Sequence, residues 1–96
     1  MSAPAGDLFS PAARAVAAEM GLSMGRANLE VFAETLLALA RGDRDLLVVT
    51  SDSRGSGKLV GFGQTLPDQH IEVGIAEQNL VGIAVGLAAA GKRVFA

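Results

Sequence analysis

The chain has 96 residues, of which half are hydrophobic, with a formal net charge of −2 and a mean hydropathy of +0.39. The slightly acidic balance argues against a nucleic-acid-binding protein, and the lack of cysteine excludes disulfides and thiolate metal sites. A chain this short buries only a thin core, so this much apolar sequence predicts that a partner covers part of its surface.

Residues 1–22 are interpreted as an N-terminal extension with one short helix. Ser10 is a suitable N-cap residue, Pro11 suits the first helical position, and Gly21 is a suitable end. The first residues lack the basic start and apolar core of a signal peptide. The longest uncharged apolar stretch is shorter than the ~20 residues that a membrane span needs. We therefore expect a cytoplasmic protein without a membrane span.

The remainder, 23–96, reads as an alternation of helices and strands. Apolar residues at helical spacing predict a helix over 27–40 that ends at Gly42, and the run 46–50 predicts a strand buried on both faces. An irregular glycine-rich stretch over 51–70, a strand over 70–73, a helix over 75–90 and a strand from 93 follow. This order predicts an α/β fold with a parallel sheet and helices on both faces. Because the predicted sheet is incomplete, we expect the chain to be the N-terminal fragment of a longer subunit.

Glu77 is the most informative residue of the sequence. It begins a helical segment in which no residue from Leu80 to Ala90 carries a charge. An acid held against such a segment is costly unless it has a partner, and an apolar setting favours its protonated form. A protonated carboxylic acid can donate a hydrogen bond to a ring nitrogen of a cofactor. An acid in the first turn of a helix could instead simply complement the helix dipole.

A glycine-rich run, 51–58, follows the predicted strand 46–50 and superficially matches a phosphate-binding P-loop. Two positions break that pattern, because Asp52 stands where glycine is required and Leu59 where serine or threonine is required. We reject a nucleotide hydrolase on this basis. The run still offers backbone N–H groups, hydroxyls and cations to an anion. Arg54 and Lys58 within it, and Glu72 on the following strand, receive no assigned role.

The segment around Glu77 also carries a family resemblance. It resembles the pyrimidine-binding domain of transketolases, and most closely the C-terminal subunit of split, two-chain transketolases, over residues 24–96. The resemblance lies in the run Gly74-Ile75-Ala76-Glu77-Gln78-Asn79 and in the following run Gly82-Ile83-Ala84-Val85-Gly86-Leu87-Ala88.

The resemblance implies a thiamine-diphosphate-dependent transferase that moves a two-carbon ketol unit between phosphosugars. Glu77 would be the catalytic acid that hydrogen-bonds the pyrimidine ring, and Asp52 would lie close to the same cofactor. Arg26 and Ser56 match positions that hold a sugar phosphate. His70, the sole histidine, is a weaker candidate for substrate binding, and no residue of this chain is expected to bind metal.

The partners follow from the same resemblance. The signature that binds Mg²⁺ and the diphosphate is absent from this sequence, so an N-terminal transketolase subunit carrying the diphosphate-binding domain would supply it within an oligomer. Two alternatives stay open: a thiamine-dependent subunit that decarboxylates 2-oxo acids, as in 1-deoxyxylulose-phosphate synthase, and a non-catalytic assembly subunit.

Overall fold

A computed structural model describes residues 9–96 of the chain. The described part forms four α-helices, one short 3-10 helix and three β-strands. In chain order these are α1 (Pro11–Glu19), α2 (Asn28–Arg41), β1 (Leu46–Thr50), α3 (Val60–Thr65), the 3-10 helix (Pro67–Gln69), β2 (His70–Glu72), α4 (Glu77–Ala89) and β3 (Arg93–Phe95). No helix among these residues is both long and apolar enough to cross a membrane.

The three strands form one parallel sheet with β1 in the centre. β2 pairs with β1 so that Val49 lies opposite Ile71, and β3 pairs with the other edge of β1 so that Leu47 lies opposite Val94. All five residues of β1 are buried. The strand over 46–50 and the parallel sheet predicted from the sequence are therefore confirmed.

Helices cover both faces of this sheet. Leu46 and Val48 point to one face, where they form the core with four buried residues of α2, α3 and the segment before α3, namely Leu36, Ala40, Phe62 and Leu59. Leu47 and Val49 alternate to the other face and are also buried. α4, which packs against β1 and β3, is the element available to cover them. The structure thus has the predicted α/β architecture with helices on both faces.

The stretch 51–70 departs from the sequence-based expectation, because its second half is helical. α3 contains two glycines in six residues, which gives it poor intrinsic helix propensity. Burial of Phe62 in the core stabilises the helix instead. Gly63 allows α3 to approach β2 closely, since a side-chain carbon there would lie 3.1 Å from His70 Nδ1. Tertiary packing therefore overrides local preference in this segment.

Helix boundaries agree with the sequence to within about two residues. The hydroxyl of Ser10 accepts a hydrogen bond from the Ala13 N–H at 3.2 Å, which confirms the predicted N-cap of α1. α2 ends at the predicted Gly42, and α4 begins at Glu77 rather than at residue 75. The nearly uniform apolar sequence of α4 predicts a helix that is buried all round. That prediction is wrong for this chain, because none of the residues of α4 is buried. The side of α4 that carries the exposed Val81 and Val85, called its outer flank, lacks cover from the described residues.

Candidate functional site

The carboxyl ends of β1 and β2 meet at one edge of the sheet. Their last residues, Thr50 and Glu72, lie opposite each other in the parallel register. The loop 51–58 leaves this edge after β1, and the turn that leads to Glu77 leaves it after β2. Ligands of open α/β folds bind at this edge. The topology therefore brings Asp52 and Glu77, both predicted as cofactor-binding residues, onto segments that leave the same edge.

The carboxylate of Glu72 is the centre of a hydrogen-bond network at this edge. Its Oε1 accepts a hydrogen bond from Thr50 Oγ1 at 2.9 Å, and its Oε2 accepts from the backbone N–H groups of Asp52 at 2.6 Å and Gly74 at 2.8 Å. The bond from the Asp52 amide, followed by that from Gly74, holds the pKa of Glu72 below its usual range. Glu72 therefore acts as an ionised acceptor that joins both segments.

Thr50 links this carboxylate to His70. Its hydroxyl, in a residue only 4% exposed, lies 2.8 Å from His70 Nε2. A hydroxyl has one proton to donate, and here it goes to Glu72, since an ionised carboxylate can only accept. His70 must then donate its Nε2–H to Thr50, which leaves Nδ1 as the nitrogen with the free lone pair. Burial, and then the positive charge of Arg54, lowers the pKa of His70, in keeping with this neutral form.

The loop 51–58 is held in an uncommon backbone conformation. Asp52 has a φ of 56° and Lys58 a φ of 61°, in the left-handed region that non-glycine residues rarely adopt. The N–H of Asp52 is fixed by Glu72, and the N–H of Leu59, a buried residue, donates to Arg54 O at 2.7 Å. Backbone strain of this kind clusters at functional sites. The side chain of Asp52 is exposed at the start of this loop.

Glu77 is the first residue of α4 and its side chain is open to solvent. Gly74, with a φ of 75°, makes the turn between β2 and α4, and Ile75 beside it is 81% exposed. The sequence-based expectation of an apolar enclosure around Glu77 is not met within residues 9–96. An exposed carboxylate and an exposed aliphatic side chain therefore lie two residues apart at this edge of the sheet.

Ser56 lies beside an apolar cleft of about 340 Å³. Its hydroxyl donates to Ser53 O at 3.0 Å. The cleft lies between α2, β1 and the loop 51–58, with these lining residues: Leu29, Phe32, Leu36, Val48, Val49, Thr50, Ser53, Ser56, Gly57, Leu59, Leu80, Phe95 and Ala96. Ser56 is thus close to the β1 edge, while Asp52 and Glu77 are not part of the cleft lining.

Arg26 precedes α2 and is engaged by carboxylates of that helix. Its guanidinium donates to Glu34 Oε2 at 2.8 Å and Oε1 at 2.5 Å, and lies 3.8 Å from Glu30 Oε2. The two-pronged hydrogen bond raises the pKa of Arg26 and lowers the pKa of Glu34. All three side chains are largely exposed. A phosphate would therefore compete with Glu34 for this cation.

Sequence reasoning missed Thr50 and gave Glu72 no role. The pattern that could have found them is the position of both residues at the last place of neighbouring strands, one offering a hydroxyl and the other a carboxylate. They lie opposite each other because two strands that are distant in sequence pair in one register, and neither local sequence specifies that register. Within residues 9–96, no group of three or more acidic or histidine side chains is arranged to hold a metal ion.

The comparisons with known proteins agree on one family. Residues 14–96 match the family model described as transketolase, pyrimidine binding domain. A subunit of the apulose-4-phosphate transketolase of Phocaeicola vulgatus is 56% identical over 64 residues, which are 67% of this chain and 20% of that protein. 1-deoxy-D-xylulose-5-phosphate synthase of Brevibacillus brevis is 45% identical over 67 residues, which are 69% of this chain and 11% of that protein.

A solved structure gives the same relation. A chain described as a split gene transketolase, inactive beta4 tetramer, superposes with a TM-score of 0.65 at 35% identity, over 75% of this chain and 24% of that chain. The sequence thus spans a quarter or less of the length of the relatives it matches. With a family model that covers most of its residues, the chain belongs to the transketolase family, as part of the pyrimidine-binding domain.

Proposed function

We propose that this chain is part of a thiamine-diphosphate-dependent transketolase subunit that transfers a two-carbon ketol unit between phosphosugars. The observation that carries the proposal is the position of Glu77. It begins α4 at the carboxyl edge of the sheet, within the residues that match the family model, and no side-chain hydrogen bond or ion pair from residues 9–96 engages its carboxylate. The proposed compartment is the cytoplasm, which the cysteine-free sequence fits.

The side chains at this edge fit the pyrimidine end of the cofactor. An aminopyrimidine ring offers apolar faces and an edge with hydrogen-bonding nitrogens. Glu77 supplies an exposed carboxyl group and Ile75, two residues earlier, an exposed aliphatic surface. When bound, thiamine diphosphate supplies the electron sink for breaking a carbon–carbon bond beside a ketone, which protein side chains lack.

The chain's own residues bind and orient in this proposal. The carboxyl group of Glu77 hydrogen-bonds the pyrimidine ring, and Asp52, fixed by its backbone, lies next to the cofactor. Ser56 and Arg26 hold the phosphate of the sugar, with Arg26 leaving Glu34 when substrate arrives. His70 is the weaker candidate for the substrate side of the site.

The remaining parts of the site come from a partner in this proposal. A second subunit, carrying the diphosphate-binding domain, supplies the Mg²⁺ site and closes over Glu77 in an oligomer. The exposed outer flank of α4 supports this, because an apolar helix without a buried residue needs cover.

A second reaction is favoured by one specific finding. Relatives named 1-deoxy-D-xylulose-5-phosphate synthase match the same segment at 45% identity. A related 2-oxo acid decarboxylating enzyme would release CO₂ from pyruvate, whereas a transketolase would not. Assaying the assembled protein for both CO₂ release and ketol transfer separates the two reactions. Turnover in neither assay would indicate the third alternative, a non-catalytic assembly subunit.

The deciding experiment for the site is Glu77→Gln in the assembled protein. The variant keeps the shape of the side chain but removes its acid–base function, so turnover should fall by about 100-fold or more. The unfolding midpoint should stay close to that of the wild type, because Glu77 is exposed. Glu19→Gln, at the exposed end of α1, is the matched control. Full turnover in Glu77→Gln would refute the assignment.

A further inference from the structure

Three separate segments of the chain donate hydrogen bonds to one side chain. Glu72 receives the Thr50 hydroxyl from β1, the Asp52 N–H from the loop 51–58 and the Gly74 N–H from the turn before α4. An ionised carboxylate has about four lone-pair sites, and the three donors occupy most of those of Glu72. The last residue of an edge strand therefore joins the two segments that carry the proposed cofactor-binding residues.

The network has a defined hydrogen-bond direction. Glu72 accepts from Thr50, so Thr50 accepts from His70 Nε2–H. The other ring nitrogen, Nδ1, lies 3.1 Å from the position that a side-chain carbon at Gly63 of α3 would take, and Arg54 Nη1 lies 3.7 Å from the same position. The ionised carboxylate at one end of the chain of bonds thus selects the tautomer of the imidazole at the other end.

We propose that Glu72 is a positioning residue of the proposed transketolase site, which holds Asp52 and the start of α4 in a fixed relation and keeps His70 in the Nε2–H tautomer. The inference rests on the proposed function for its catalytic consequence, whereas the network itself is independent of any activity. Without the carboxylate, the Asp52 N–H loses the acceptor that holds the left-handed backbone, and the Gly74 N–H is released.

The tautomer of His70 can be measured, and it would not change with residue 72 if Glu72 only stabilised the fold. These 96 residues contain one histidine, so in the ¹⁵N-histidine nuclear magnetic resonance spectrum of the assembled protein the imidazole signal that is lost in a His70→Gln variant belongs to His70. Wild type and the Glu19→Gln control should show Nε2–H at neutral pH. Glu72→Gln should show Nδ1–H. In this variant the side-chain amide oxygen accepts hydrogen bonds from the two backbone N–H groups, so the amide NH₂ donates to Thr50. The Thr50 hydroxyl then donates its hydrogen bond to His70 Nε2. An unchanged tautomer in Glu72→Gln, or Nδ1–H in wild type, overturns the network.

The catalytic consequence is tested by turnover and by calorimetric binding of thiamine diphosphate in the assembled protein. Glu72→Ala should lower kcat by about 100-fold, the size expected when reacting groups are misplaced by about 1 Å. The KM for the sugar should change little. Glu72→Gln, which keeps the acceptor for both backbone N–H groups, should retain most of the turnover even if Glu72→Ala folds poorly.

These outcomes separate the failure of the inference from the failure of the proposed function. Wild-type turnover in Glu72→Ala overturns the positioning role. An equal loss of turnover in Glu72→Gln and Glu72→Ala would show that the charge of Glu72 matters rather than its position, and this result also overturns the positioning role. If wild type binds no thiamine diphosphate, the proposed function fails and the catalytic role of Glu72 fails with it. The imidazole spectrum still decides whether the network exists.

Discussion

The side-chain amide of Gln69 donates a hydrogen bond to the backbone carbonyl of Ala40 at 3.0 Å, across 29 positions of sequence. The same nitrogen lies 2.9 Å from Asp43 O and 3.0 Å from Leu46 O. Gln69, only 8% exposed, thereby joins the end of α2 and the start of β1 to the residue before β2. This buried amide helps to fix the strand that carries His70 and Glu72.

Replacing Gln69 with leucine should therefore destabilise the fold that supports the site. The buried carbonyl of Ala40 and its neighbours would lose their donor, at a cost of about 1–3 kcal/mol in the free energy of unfolding. Urea unfolding followed by circular dichroism measures the change. Gln64→Leu, at an exposed position on α3, is the matched control and should leave stability nearly unchanged. Equal stability of the two variants would contradict the structural role of Gln69.

The sequence predicts the elements better than the contacts between them. β1 is recognisable as a continuous apolar run, and the Ser10 cap and Gly42 end follow from local chemistry. The position of Glu77 at the start of α4 is likewise a local pattern. These features depend on residues close to one another in the chain, and so periodicity and capping preferences suffice.

The contacts that organise the site depend on register instead. Gln69 bonds to residues far away in sequence, and Thr50 meets Glu72 only because β1 and β2 pair in one particular alignment. Nothing in either local segment specifies that alignment. α3 was missed for a related reason, because its glycine-rich sequence disfavours a helix and the burial of Phe62 supplies the stabilisation.

The stability of the fold should depend on pH through His70. Folding lowers the pKa of His70 from the ordinary value of 6.5, through burial and the charge of Arg54. The unfolded state then binds more protons below this value, so stability is complete above pH 6.5 and is lost as the pH falls toward the lowered pKa. His70→Gln keeps an N–H donor for Thr50 but cannot gain a proton. Chemical unfolding at a series of pH values should show the loss in wild type and not in this variant.

The acidic groups change the stability at a lower pH than His70 does. Folding lowers the pKa of Glu72 and Asp43 from 4.5 and 3.8, so their contributions are present above those values and are lost only at lower pH. Between pH 6.5 and 4.5, the change in the free energy of unfolding therefore comes mainly from His70. A wild-type stability that stays constant across this window would contradict the assignment.

Freeing Arg26 from Glu34 should favour the binding of a phosphorylated substrate under the proposed function. The pair is exposed, so Glu34→Gln should lower the KM for a phosphosugar by only about two- to fivefold, the range expected for a surface ion pair. Glu30→Gln is the matched control and should have a smaller effect, because Glu30 lies 3.8 Å from the guanidinium. The difference should shrink at high salt. An unchanged KM in Glu34→Gln would remove Arg26 from the substrate site.

The outer flank of α4 carries the last prediction. Val81 and Val85 are 58% and 63% exposed, and a side-chain carbon at Gly82 or Gly86 would meet no atom of the described chain within 4 Å. Gly82 and Gly86 are four residues apart and so lie on the same side of the helix, which permits the close approach of another backbone. A glycine in a helix interior costs about 1 kcal/mol relative to alanine, so two such positions need a reason.

Gly86→Leu should therefore weaken assembly without weakening the fold. The added side chain enters space that is open in this chain, and the helix gains a residue of higher propensity, so the isolated chain should be at least as stable as wild type. In the proposed complex the same side chain would occupy the space of the partner subunit. Sedimentation velocity should show dissociated subunits, and turnover should fall in proportion to the loss of the complex. Ala18→Leu, on the exposed surface of α1, is the control and should assemble like wild type. Normal assembly and activity of Gly86→Leu would show that this flank of α4 faces solvent, and the partner would then have to cover the site from another side.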